Sequence, residues 1–222
     1  MEMTRFKTSL AAALGLAAAL LVVPAAAQTY PTKPVRIVVP FAAGGPADVY
    51  ASFMAQRLQD ALGQPSVVDN RPGAGSVIGT DAAAKAAPDG YTLLLMSNAH
   101  TVNESLIPNK PFQLMRDFVA IAPINYSDLV LVANPAVAEA SLKELIAQAK
   151  ARPGKLNYAS SGPGTPYHMA GVYLVHIPYR GSSGARTDVI GGQVDVMFDA
   201  VTTMAEQVGP GRGAGHHWQD PF

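Results

Sequence analysis

Short β-branched runs alternate with alanine-rich stretches along most of this chain, and that rhythm restricts its possible folds more than any other feature. Residues 35–39 form such a run, closed by Pro40, in the manner of a strand buried on both faces. A glycine-containing turn at 42–46 follows. Then Tyr50, Phe53, Met54, Leu58, Ala61 and Leu62 recur at three- and four-residue spacing, which predicts a helix with that stripe inward and Gly63 at its end. A strand at 65–68, a helix at 76–86 and a strand at 92–96 continue the series, the last entered through the turn Pro88, Asp89, Gly90. The pattern βαβαβ argues for an α/β fold with parallel, doubly wound sheets and helices on their faces.

The rhythm breaks over residues 97–115 and resumes with expected strands at 118–124 and 129–133, so a domain boundary is placed near Tyr126. Ser141 and Glu144 have the spacing of a capping box for a helix over 142–151, stopped by Pro153 and Gly154. Strands are expected at 156–159, 173–177 and 194–198. The connection between the first two of these is short for a parallel crossover, because 165–171 offers barely two helical turns. The tail over 209–222 carries Trp218 with His216 and His217, but no periodicity and no apolar stripe.

The first 27 residues read as a secretory signal peptide. Arg5 and Lys7 precede an apolar run at 10–23, and Ala25, Ala26 and Ala27 form a small-residue cleavage site. That run is shorter than the roughly 20 residues a membrane span needs, and nothing later approaches it, so no membrane span is expected after cleavage. Charged residues make up 14% of the chain, sixteen basic against sixteen acidic, which removes the electrostatic footprint of a nucleic-acid partner. Without a single cysteine, disulfide frameworks, thiol nucleophiles and cysteine metal sites are excluded. An exported chain of this kind fits a bacterial periplasm.

Two glycine-rich turns each follow a strand and precede a helix: Phe41, Ala42, Ala43, Gly44, Gly45 with Asp48 beyond, and Ser160, Ser161, Gly162, Pro163, Gly164, Thr165. Such turns direct backbone N–H groups and a positive helix end outward, an arrangement suited to an anion. Neither carries the lysine of a phosphate-binding loop, so a carboxylate is the favoured ligand and phosphate is not. Asp48 either compensates its helix dipole or takes part in water-mediated contact. Capping of turn and helix by Ser160, Ser161 and Thr165 is compatible with ligand contact. The stretch Gly73 to Gly79 fails as a dinucleotide fingerprint, because Ile78 stands where a small residue belongs; helix initiation after a tight turn explains it. No Gly-x-Ser-x-Gly elbow accompanies His168 or His176, and no set of His, Asp and Glu has catalytic metal spacing, so neither metal nor cofactor is expected.

Taken together, several motifs resemble the extracytoplasmic receptors of tripartite tricarboxylate transporters, the Bug-type family. They are Tyr30 and Pro31 before Gly44, Gly45 and Asp48; Asn70 to Gly75; Pro88 to Tyr91; Ser160 to His168; and Pro178 to Gly181 with Gly191, Gly192, Gln193 and Asp195. The resemblance implies a periplasmic-binding-protein-like fold of type II, a Venus flytrap, with two α/β domains joined by a hinge. It also implies a monomer that closes on a small organic carboxylate and hands it to membrane permease subunits, without catalysis. Domain one would occupy 28–126 and contribute Phe41, Ala42, Ala43, Gly44, Gly45, Asp48, Ser97 and Asn98 to the ligand. Domain two would occupy 127–208 and contribute Ser160, Ser161, Gly162, Gly164, Thr165 and His168, with Tyr179 and Gly181 nearby and Asp199 at the cleft or hinge. Measured against the family, the chain has an apparent internal deletion near 171 and an aberrant tail at 209–222, as expected of a truncated or frameshifted copy with domain one incomplete. An envelope enzyme acting on a carboxylate, or a damaged copy that binds nothing, are the alternative expectations.

Overall fold

The computed structural model describes residues 30–137, 141–171 and 173–204; the expected signal peptide and the tail at 209–222 lie outside them. Both sheets belong to one compact unit, Lys33–Phe222. The first sheet holds three parallel strands in the order β2-β1-β3: β1 (Val35–Val39), β2 (Ser66–Asn70) and β3 (Thr92–Leu94). Val35 pairs with Ser66 and Arg36 with Thr92, so β1 is central, and Val35, Val38 and Val39 are almost fully enclosed.

Helix α1 (Pro46–Leu62) starts at Gly45 with proline in its first turn and ends on Gly63, whose φ of 69° gives the left-handed closure anticipated for that glycine. Its buried face differs from the expected stripe. Ala51 and Ala55 are enclosed and Ala47, Tyr50 and Leu58 pack beside them, whereas Phe53 is exposed, with the Arg57 guanidinium 5.1 Å from its ring centroid. Small residues face the sheet here because they let the helix approach β1 and β2 closely. Residues 74–76 form a 3₁₀ turn that opens α2 (Val77–Ala84), so the glycine run of 73–79 does initiate a helix.

The segment after β3 is more regular than its composition suggests. Helix α3 (Asn98–Leu106) is capped by Ser97, whose hydroxyl accepts from the Ala99 N–H at 3.3 Å, while the His100 ring accepts from the Ser97 N–H at 3.1 Å. A short α4 (Leu114–Asp117) follows. The strand expected at 118–124 is absent, a correction with a clear cause: a β-prone run becomes a strand only beside a ladder partner, and none lies next to it among the described residues. Val119 and Ile121 are left 90% and 79% exposed.

The second sheet has the order β4-β7-β5-β6, from β4 (Leu129–Ala133), β5 (Asn157–Ser160), β6 (Val175–Pro178) and β7 (Val196–Ala200). Not every pairing is parallel as expected. β4 runs antiparallel to β7, Leu129 facing Ala200; it enters from an extended segment with no crossover helix, so nothing forces it into parallel register. Helix α5 (Leu142–Ala151) begins at Ser141, whose hydroxyl accepts from the Glu144 N–H. The short crossover is nevertheless made: β5 and β6 pair in parallel, with only the five-residue α6 (Pro166–Ala170) between them. This works because β6 starts at Val175, later than the expected 173, which lengthens the connection. Helices α7 (Ser182–Ile190) and α8 (Val201–Met204) complete the described chain, and no described helix is long and apolar enough to cross a membrane.

Candidate ligand-binding cleft

Parallel strands deliver their following loops to one edge of a sheet, which is where open α/β proteins bind ligands. Four such loops meet here around a cleft of about 380 Å³. The start of α1 supplies Gly45, Pro46 and Ala47; the start of α3 supplies Ser97 and Asn98; the start of α6 supplies Thr165, Pro166 and Tyr167; and the start of α7 supplies Ser182. Phe41, Tyr50, Leu95, Met96 and the 124–127 segment with Leu129 form the remaining wall, beside Ser161. Among the described residues, no lysine, arginine, histidine or carboxylate lines it.

The turns are held rather than loose. Asp48 accepts from the Gly44 N–H at 2.8 Å, fixing the first turn from inside its own helix. The Ala42 N–H donates to Arg180 O at 3.3 Å, joining the first turn to the loop before α7. At Gly181 a Cβ would stand 2.6 Å from Ala42 Cβ, so this contact requires glycine. In the second turn, Thr165 Oγ donates to Gly162 O at 2.7 Å and accepts from the His168 N–H. Ser160 Oγ accepts from the Gly162 N–H at 3.1 Å and lies 2.6 Å from His176 Nε2. His176 is sandwiched against Tyr158 and His168, at centroid distances of 5.0 and 4.3 Å. Burial, then the neighbouring His168, holds the His176 pKa below 6.5.

Of the residues expected from sequence, Phe41, Gly45, Ser97, Asn98, Ser161 and Thr165 come together on the cleft wall. Ala42, Ala43, Gly44 and Asp48 build the first turn behind it, and Ser160, Gly162, Gly164 and His168 build the second; none of these eight lines the cleft. Gly181 sits against Ala42. The Tyr179 hydroxyl donates instead to Asp188 on α7, and burial with that bond pushes its pKa up to about 12. Asp199 is fully buried and accepts from Arg186 Nη2 at 3.0 Å. It is the leading charged influence on Tyr167, whose hydroxyl pKa is raised mainly by burial, so that wall of the cleft stays a neutral phenol. Sequence reasoning missed Tyr50, Tyr167 and Ser182. Tyr50 was read only as part of an apolar helix stripe, and the position of Pro166 and Tyr167 directly after a capping threonine was the available signal for the second.

The comparisons with known proteins point in one direction. The model of the tripartite tricarboxylate transporter family receptor, TctC, matches residues 50–213. The chain belongs to this receptor family. The protein BugT of Bordetella pertussis is 43% identical over 95% of this chain and 67% of its own length. Among solved structures, the periplasmic binding protein BugD is 35% identical with a TM-score of 0.72, over 81% of this chain and 62% of BugD. MatC of Rhodopseudomonas palustris, solved with bound malate, is 27% identical with a TM-score of 0.77, over 84% of this chain and 67% of MatC. The fold of this receptor-family chain is therefore that of the type II periplasmic binding proteins. The chain spans between 55% and 67% of the length of the curated relatives that it matches over most of its own residues.

Proposed function

We propose that this protein is a periplasmic solute receptor: exported by its N-terminal signal, it closes as a monomer on a small organic carboxylate and delivers it to the membrane permease subunits of a tripartite transporter. Hinge closure between a domain at 28–126 and one at 127–208 selects the bound state, with no covalent step and no cofactor. The observation that carries this reading is the meeting of three helix N-termini, those of α1, α3 and α7, on one cleft that no charged side chain among the described residues lines. Free N–H groups and positive helix ends attract an anion. That no described cationic side chain lines the cleft disfavours phosphate and leaves the single charge and two acceptor oxygens of a carboxylate as the better match. The malate in MatC lends support by analogy.

Thermal denaturation of the full chain with malate, adipate, benzoate or inorganic phosphate tests the reading. A carboxylate at a hundredfold excess over its Kd stabilises the fold by about 2.7 kcal/mol, and the ligand is recovered unchanged by NMR. Consumption of the ligand indicates an enzyme and rejects the reading. The exposed Val119 and Ile121 favour a second reading, in which this chain alone holds no ligand; it predicts no stabilisation by any of the four compounds.

A further inference from the structure

Tyr50 and Tyr167 bring phenols from two different helices, α1 and α6, to the wall of the cleft. The Tyr50 hydroxyl is engaged across the fold, 2.9 Å from Thr202 Oγ in α8. Helix α6 packs on β7, and β7 ends with Asp199 and Ala200 immediately before α8. This part of the wall therefore rests on the end of β7, where Asp199 is fully enclosed. The cation that answers Asp199 is Arg186, whose Nη2 donates to it at 3.0 Å while its Nε is buried without a partner. Arg186 is thereby turned toward a buried acid and is not among the residues that line the cleft.

A charged group approaching this wall exchanges water for phenol rings and for the field that the ion pair beneath them leaves over. Tyr167 registers the sign of that field: burial raises its hydroxyl pKa most, and Asp199 then raises it more than Arg186 lowers it. The residual potential is negative. An ionised carboxylate brought here loses hydration, meets no cation and is repelled, whereas an uncharged group loses little. Phe41, Leu95, Met96, Ile124 and Leu129 extend the lining with apolar surface. We propose that the buried Asp199, acting through the Tyr167 wall, makes this cleft selective for monocarboxylates with an uncharged, largely apolar body and excludes a second carboxylate. The proposal rests on the receptor reading above and narrows its substrate class.

Calorimetric titration of the full chain at neutral pH, with adipate against its monomethyl ester and terephthalate against its monomethyl ester, tests this, since each pair differs by one charge at nearly equal size. Wild type is expected to bind each monoester at least about 10-fold more tightly than its diacid. In Asp199→Asn the Arg186 guanidinium loses its acid and the field at Tyr167 turns positive, so the preference shrinks to about 3-fold or less, or reverses. Tyr167→Lys places a cation on the wall without opening the buried pair and is expected to shift the ratio the same way, which keeps the test decisive if Asp199→Asn does not fold. A merely structural Asp199 would lower Tm and weaken both members of a pair equally. An unchanged ratio in the folded variants overturns the proposal, as does a wild type that binds the diacids as tightly as the monoesters; the receptor reading stands in either case. If no member of either pair binds to wild type, both are overturned.

Discussion

At the scale of single residues, close backbone approach at Gly181 and left-handed conformations at two non-glycine positions set the most specific constraints. A Cβ at Gly181 would collide with Ala42 Cβ and come within 2.8 Å of Ala42 N, displacing the bond from Ala42 N–H to Arg180 O. Gly181→Ala is expected to cost about 1–3 kcal/mol, the usual range for forced overpacking, read as a lower urea midpoint at unchanged slope. Ala74 and Ser76 adopt φ values of 47° and 80° in the turn before α2. Ala74 is exposed, so Ala74→Gly removes Cβ strain without losing packing; it is expected to stabilise by about 0.5–1 kcal/mol after the extra chain entropy of glycine is counted, measured by the same denaturation. Neither effect can be read from sequence spacing. The glycine run at 73–75 does announce a tight turn, yet which non-glycine neighbours share the strain depends on where Asn103 binds, its side-chain amide donating to Gly75 O at 2.6 Å. In the same way Gly45 was legible as part of a turn, while its opposition to Ser182, 137 positions on, exists only once both sheets are folded.

At the scale of elements, α3 links titration to the cleft. His100 is buried, and its Nδ1 accepts from the Ser97 N–H while Nε2 donates to Thr80 Oγ, which in turn donates to Ser76 O. Nδ1 also lies 3.0 Å from Ser97 O, which would accept from a protonated ring, so burial is what favours the neutral form, and this contact opposes it in part. Burial lowers the His100 pKa from 6.5, and His176, beside the second turn, is shifted the same way. A depressed folded-state pKa means that the unfolded chain binds more protons just below 6.5. The stability conferred by the neutral rings is therefore complete above that pH and is lost as pH falls through the folded-state values. Tm is expected to decline from pH 7 to pH 5, and His100→Gln, which cannot titrate, should start lower and show a shallower decline. Element types along α1, β1, β2, α5 and β7 were legible because each has strong periodicity or a cap. Helix α3 was not, since Asn98, Asn103 and Pro108 give its segment the composition of a loop, and the only local signal was Ser97 with His100 three residues on. The strand expected at 118–124 failed for the converse reason: local propensity was present and the partner that would realise it was not.

At the scale of the whole molecule, each sheet has its own buried cluster, the first around Ile37, Val39, Ala51 and Leu95. The second has a compact interior around Val132, Ala159, Val189, Val194 and Met197. The first ends at the three-residue β3, beyond which Met115, Val119, Ile121 and Tyr126 stand largely in solvent. Consecutive exposed apolar side chains on a backbone with no ladder partner among the described residues are a template for self-association, since both the apolar surface and the backbone N–H and C=O groups can be satisfied by another molecule. The full chain is therefore expected to bind a hydrophobic dye under native conditions and to grow in light scattering as its concentration rises. Val119→Lys combined with Ile121→Lys should reduce both signals. Because those side chains make little packing contact in the described fold, the pair should change unfolding free energy by no more than about 0.5 kcal/mol each. Substitutions that suppress association while lowering stability well beyond that would show instead that 118–124 is packed in solution, which the exposure of Val119 and Ile121 argues against. The cleft is coupled to this outcome, because Ile124, Asn125, Tyr126 and Ser127 continue directly from the exposed run onto its wall. A segment engaged by a neighbouring molecule cannot also hold that wall in place, so the doubly substituted chain should bind carboxylates at least as tightly as wild type, with the difference widening as protein concentration increases.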